Sequence, residues 1–402
     1  MGRGRVLTIA LAGILAATLA LAATASARDP GRWILTGASS IPTDYWQGLT
    51  SDPQADDLYF IGPSQGLWRT SPELVQSAGV PREIPSSVRQ QVGYNHIGDP
   101  TWLDGEGGRV LLPMECFNPA ADPSNTCGKG GFGIADPGTL AFRYYVQLDP
   151  AFIPKAMWAE TSPNGNLIWT SSGDDLIAYD ASQVSQANAA PSGPQLEPVR
   201  TLRGAVPPTG ITGAVFRKHH LLLAGESDHD YDVWSVDTRT GDRKLKIERS
   251  FCGEAEGLGL FSTLGGRLHW LIAPSDDSGC ELTFGSTSAL LHFRRSPGHE
   301  RFQVDPYSIS VGGNSESSEL RVQVKAHVTR IANGNDVHGA NVRFVGAHSR
   351  TDRRGRATVS TTLETPGRFG VFARKGKRYG MSSLIDLNVG ESKRTRSLPD
   401  RG

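Results

Sequence analysis

Gln47, Asp99, Glu160 and Glu256 stand at corresponding points of a recurring unit in this 402-residue chain, just before or within the first strand of each copy, and His96 lies three residues ahead of Asp99. Carboxylates that meet from separate units can hold Ca²⁺ through hard oxygen ligands. They can also divide into acid and base for cleaving a glycosidic bond, with their separation deciding the stereochemistry. Asp99, Glu160 and Glu256 are therefore the candidate metal ligands, with Ca²⁺ as the expected ion. Gln47 and His96 complete a candidate ligand-binding set, His96 as a base at the same mouth. The plainer reading of each residue is a turn cap or a hydrogen bond to the neighbouring unit. No catalytic residue is assigned: the sequence has no Gly-x-Ser-x-Gly elbow and no Ser, His and Asp constellation in a recognisable motif, so binding is expected ahead of turnover. The acidic run Glu226-Ser227-Asp228-His229-Asp230-Tyr231-Asp232 lacks the Gly and distal Glu of a calcium-binding loop and reads as a solvated hairpin turn.

The units that must position these residues are short. Ser162-Pro163-Asn164-Gly165 leads into Leu167-Ile168-Trp169-Thr170, answered by Leu176-Ile177-Ala178-Tyr179. Four similar pairs follow the same plan: Leu58–Ile61 with Gly66–Trp68, Arg109–Met114 with Tyr144–Val146, His220–Ala224 with Val233–Val236, and Arg267–Ile272 with Ala289–Leu291. A repeat of about 50 residues built only of strands points to an all-β, five-bladed β-propeller, because one four-stranded blade cannot bury its faces alone. A sixth blade is left open in Ser71–Gly93 or Ser182–Val206. Continuous apolar runs such as Leu221-Leu222-Leu223 indicate burial on both faces, as in a blade held between two neighbours. Trp33-Ile34-Leu35 is expected to supply the outer strand of the last blade and so remove an exposed edge. Ligands of such rings are expected at the mouth of the central channel.

Charge and pattern both change late in the chain. Residues 28–320 carry 22 basic against 35 acidic residues, and residues 321–402 carry 17 against 6. Strict alternation, as in Val322, Val324, Ala326 and Val328, replaces the continuous runs and describes a small sandwich with one dry face per sheet. The expected organisation is a signal peptide over 1–27, a propeller over 28–310, a Gly/Ser-rich linker over 311–319, a sandwich over 320–390 and a disordered basic tail over 391–402.

The run Gly339–Phe344, then Thr351–Ala357, then Pro366–Phe369 resembles the bacterial Ig-like domains of the invasin and intimin type, which implies an Ig-like β-sandwich acting as a spacer or adhesive module. The larger domain resembles, at superfamily level, the exported NHL, quinoprotein-like and gluconolactonase-type propellers. That resemblance implies a Glu, Asn and Asp divalent site for a lactonase, for which only Glu256 or Glu160 can stand as the Glu. It implies three spaced carboxylates for a five-bladed glycosidase, where this chain has Gln47 in place of the first.

Arg3 and Arg5, the apolar stretch Val6–Ala23 and Ala25-Ser26-Ala27 predict export, with cleavage before Arg28; an earlier cut at Ala20-Leu21-Ala22 and retention of the stretch as a membrane anchor are left open, and no later segment can span a bilayer. The four cysteines fall as two local pairs, Cys116 with Cys127 and Cys252 with Cys280, expected as disulfides in an oxidising compartment. Nucleic acid is a poor partner for an exported protein. The basic cluster Arg353, Arg354, Arg356, Arg374, Lys375, Lys377 and Arg378 points to an anionic wall polymer, a carbohydrate or phospholipid headgroups. The expected function is a secreted or cell-surface binding protein; the alternative is a Ca²⁺-dependent hydrolase of an extracellular carbohydrate or lactone. Oligomeric state is left open.

Overall fold

The structure is a computed structural model that describes residues 32–387 and the strand 394–397, apart from 63–64, 106, 122–123, 228–229, 252, 275–286 and 313–318. Residues 1–27, where the signal peptide is expected, and the Cys252 and Cys280 pair lie outside the described residues.

Five antiparallel sheets follow one another along the chain. Blade 1 comprises Gly48–Ser51, Leu58–Ile61, Leu67–Thr70 and Gln76–Val80. In blade 2 the inner strand is split into His96–Ile97 and Thr101–Leu103, both paired with Arg109–Glu115, and Gly131–Ala135 and Phe142–Gln147 follow. Blade 3 is Glu160–Thr161, Leu167–Ser172, Asp175–Asp180 and Arg200–Leu202. Blade 4 is Gly210–Arg217, His220–Ser227, Asp230–Asp237 and Arg243–Ser250. Blade 5 is Ala255–Gly259, Leu268–Ile272 and Ser288–Arg295, and its outer strand is Trp33–Ile41 from the other end of the chain, with Trp33 opposite Arg295. The expected closure by Trp33-Ile34-Leu35 is thus observed.

Each neighbouring pair of blades encloses its own apolar core, and the set runs full circle. Ile61 and Leu112 meet between blades 1 and 2, Ile134 and Ile168 between 2 and 3, and Trp169 and Leu223 between 3 and 4. Tyr231 and Trp270 meet between blades 4 and 5, and Leu271 and Phe60 between 5 and 1. Successive residues of a strand point to opposite faces. Leu221 and Leu223 therefore enter one core while Leu222 and Ala224 enter the next. That is the physical origin of the continuous apolar runs. The stretches held open for a sixth blade contain instead the outer strands Gln76–Val80 and Arg200–Leu202 and short helical turns. One pairing differs from expectation: the partner of Arg109–Glu115 is the glycine-rich Gly131–Ala135, and Phe142–Gln147 is one strand further out.

Two further sheets enclose the core of Val322, Val324, Val342, Phe344, Val359 and Phe369, forming a sandwich. Its boundaries correct the expected ones. Phe302–Gly312, expected to belong to the propeller and the start of the linker, pairs along its length with Leu320–Arg330 and so belongs to the sandwich, while most of the expected linker, 313–318, lies outside the described residues; Arg394–Ser397, expected in a disordered tail, pairs with Ser308–Val311. The sandwich is also fused to the ring. Gly367–Phe369 pairs with Gly37–Ser39, extending the blade 5 sheet to six strands, and a Cβ on Gly37 would lie 2.7 Å from the Phe369 ring. No helix among the described residues is long and apolar enough to cross a membrane.

Candidate functional site

The inner strand of a blade has no neighbour on its axial side, so its N–H groups must find other acceptors. Asp99 supplies them. Pro100 has no N–H and interrupts the inner strand of blade 2, and there Asp99 leaves its own ladder: its N–H donates to Met157 O at 2.9 Å and its carbonyl accepts from Ala159 N at 3.1 Å. Its side chain, 0 % exposed, then crosses the axis. Oδ1 accepts from Leu49 N at 2.9 Å, and Oδ2 accepts from Ala214 N at 2.9 Å and Leu258 N at 3.4 Å. One carboxylate thereby ties blade 2 to blades 1, 4 and 5. Glycine makes room for it: a Cβ on Gly98 would sit 1.7 Å from Met157 O, and one on Gly257 would sit 2.4 Å from Asp99 Oδ1.

The other expected residues are placed around this hub. Glu256, 2 % exposed, accepts from Gln47 Nε2 at 3.1 and 3.2 Å, and Gln47 Oε1 accepts from Trp46 Nε1 at 3.1 Å. Glu160, on the inner strand of blade 3, accepts from Phe216 N of blade 4 at 2.9 Å and from Thr101 Oγ1 of blade 2 at 2.8 Å. His96 faces Glu115 of its own blade, with Nδ1 3.1 Å from Oε1, and packs against Phe117. The structure thus brings Gln47 to Glu256 and sets Asp99 between neighbouring strands, but His96 turns away to Glu115.

Burial holds the Asp99 and Glu256 carboxyls well above the usual carboxylate range and lifts Glu160 to about 7. As Ca²⁺ ligands the three fit poorly. Their oxygens do not come within 4.8 Å of one another as a set among the described residues, and Asp99 and Glu160 already accept from the backbone. Cys116 and Cys127 form a disulfide that closes the loop after Arg109–Glu115.

The converging side chains lie elsewhere, at the seam between blade 5 and the sandwich. A groove of about 500 Å³ is lined by Arg267, Arg294 and Arg295 from the ring and by Arg343, Arg350, Arg374 and Lys375 from the sandwich, seven cations with no carboxylate among the lining residues. Arg294 lies over the Phe372 ring at 6.0 Å, and its pKa is lowered by burial and by Arg343, Arg267 and Arg374. Of the basic cluster marked in the sequence, only Arg374 and Lys375 line this groove. The arginines contributed by the acidic propeller were missed, and the tandem Arg294-Arg295 closing an apolar strand was the available signal.

A second unexpected arrangement is a buried chain through blade 5. His269 Nε2 lies 3.1 Å from the carbonyl of Phe261, an acceptor only, so that nitrogen carries the proton. His269 Nδ1 then accepts from His292 Nδ1 at 2.8 Å, and His292 Nε2 accepts from Ser39 Oγ at 2.8 Å. All three residues are 0 % exposed, and burial lowers both histidine pKa values. The order of atoms is that of a nucleophile chain, but no solvent reaches it; with Phe369 stacked on His292, it braces the seam.

No family model matches the chain, and no curated protein matches it by sequence. Among solved structures, glutaminyl cyclase of Myxococcus xanthus is 12 % identical, with 66 % of this chain and 98 % of that one covered at a TM-score of 0.39. The PQQ-bound aldose sugar dehydrogenase of Streptomyces coelicolor is 11 % identical, with 67 % and 100 % covered at 0.34. The apo form of the soluble aldose sugar dehydrogenase of Escherichia coli is 12 % identical, with 64 % and 99 % covered at 0.36. Overlaps of this size transfer no activity and no ligand to this chain.

Proposed function

We propose that the chain is an exported binding protein that captures an anionic extracellular ligand in the groove between its propeller and its Ig-like sandwich. The observation that carries this reading is the seven-cation lining without a carboxylate. Like charges gathered in a partly desolvated groove repel one another, and an anion relieves that repulsion while gaining charge-assisted hydrogen bonds. The hydrolase alternative loses its support at the ring axis, where the carboxylates serve as ties between blades. Calorimetric titration of the mature chain with pyrophosphate tests the reading. Binding that weakens steeply with salt and is lost in Arg343→Ala/Arg374→Ala is expected; pyrophosphate binding unaffected by that pair would refute the placement, and no binding would refute the function.

A further inference from the structure

Three arginines of the junction groove are held through one nitrogen each. Arg294 Nε donates to Gly265 O at 3.0 Å, Arg343 Nε to Asn341 Oδ1 at 3.2 Å, and Arg374 Nε to Gly376 O at 2.9 Å. Among the described residues the Nη pairs of these three guanidinium groups make no hydrogen bond, so each presents an oriented fork to the groove. A carboxylate offers two coplanar oxygens and is saturated by one or two such forks, whereas successive phosphates of a chain offer two unbridged oxygens each, so neighbouring repeats can fill all three.

The groove does not end at blade 5. Arg295 is also a wall of a second groove of about 330 Å³, which runs over blade 4 past Arg217, Lys244 and Lys246. The cations of the two grooves lie close enough to repel. The Arg217 pKa is lowered by burial and by Arg295 and Arg267, and that of Lys246 by burial and by Lys244, Arg295 and Arg217. The second groove contains two carboxylates, Asp237 and Asp242, but Asp237 is already clamped by Arg239. Positive charge is therefore continuous from blade 4 across blade 5 to the sandwich. A compact anion occupies only one of the two grooves, whereas a chain with one charge per repeat can lie along both.

We infer that the joined grooves bind a linear phosphate polymer other than a nucleic acid, with phosphates seated on the Arg294, Arg343 and Arg374 forks and the chain continuing over Arg295 to Lys246. This rests on the proposed anion-binding function and adds the ligand class and its path. Nucleic acid is disfavoured because single-strand readers use open aromatic faces for base stacking. Here Phe372 is buried beneath Arg294 and Trp33 of the second groove is buried as well, while one face of the half-buried His220 imidazole, also in that lining, packs against His219.

The test uses the mature full chain with pyrophosphate, long-chain polyphosphate, polyglutamate and an oligothymidylate, titrated at several salt concentrations. Polyphosphate is expected to bind at least roughly 30-fold more tightly than pyrophosphate, since linking sites converts later contacts into intramolecular ones. Arg217→Ala/Lys246→Gln should weaken polyphosphate roughly 10-fold, lower the slope of log K against log salt by about 2, and leave pyrophosphate unchanged. Equal affinity for pyrophosphate and polyphosphate, or no effect of that pair, overturns the extended path while leaving the junction site standing. Polyglutamate or oligothymidylate binding as tightly as polyphosphate overturns the ligand class. Failure of every anion to bind overturns the function as well.

Discussion

Glu160→Gln should stabilise this protein at alkaline pH and leave it unchanged at acid pH. In the native structure Oε1 accepts from Phe216 N, and Oε2 accepts from Thr101 Oγ1, which itself accepts from Thr161 N. A glutamine keeps the first bond through its carbonyl. Its amide donates to Thr101 Oγ1, whose hydroxyl can turn to Trp102 O at 3.4 Å. The amide therefore copies the protonated acid. Burial raises the folded pKa from 4.5 to about 7. A carboxyl raised in the folded state contributes its full stability below the unfolded value and loses it as pH rises through the folded one; that interval corresponds to about 3 kcal/mol, at roughly 1.4 kcal/mol per pH unit. Asp99 and Glu256 titrate in the same sense. His269 and His292, whose folded pKa values are lowered, act in the opposite sense: their contribution is present above the unfolded histidine value and is lost as pH falls. Those groups are common to both proteins, so their contributions largely cancel in the difference. Urea midpoints at several pH values from 4.5 to 8 provide the assay. The variant should match the wild type at the acid end and exceed it by about 2–3 kcal/mol at pH 8. A difference that stays constant across that range would show that Glu160 is ionised throughout, and would refute the assignment of its proton.

Cys127→Ser removes a cross-link between residues 11 apart and should cost about 3 kcal/mol by loop entropy, read from the urea midpoint. Gly98→Ala drives a Cβ into Met157 O, so it should abolish soluble folded protein, with near-ultraviolet dichroism as the check. The ring and the sandwich share a sheet and the stack of His292 on Phe369, so calorimetry should show one transition; Phe369→Ala should lower it by about 3–5 kcal/mol without splitting it. Two resolved transitions in the wild type would contradict the fused seam.

The ring was legible because burial on both faces leaves a mark that pattern alone can carry, as in Leu221–Ala224, and the sandwich was legible from the alternation of Val322 to Val328. Gly131–Ala135 was not, since glycine reads as loop. Here it is required by packing: a Cβ on Gly131 would meet the Tyr94 ring at 2.9 Å, and one on Gly133 would meet Phe142 at 2.8 Å. The domain seam was misplaced because Phe302–Gly312 is irregular around Pro306 and does not carry the clean alternation of its partner strand Leu320–Arg330. The site residues posed a harder problem. Residue type says that Asp99, Glu160 and Glu256 are acceptors, but not whether they accept from an ion or from the chain. The ring geometry decides between these. Five inner strands brought together by Gly48, Gly98, Gly213 and Gly257 leave N–H groups directed at the axis with no strand to receive them, and Asp99 answers those of Leu49, Ala214 and Leu258. A ring this narrow needs acceptors at its inner positions simply to fold. Acidic residues there are thus weak evidence for chemistry. The arginines at the seam are stronger evidence for function, because neither the ring nor the sandwich needs seven cations in one groove in order to close.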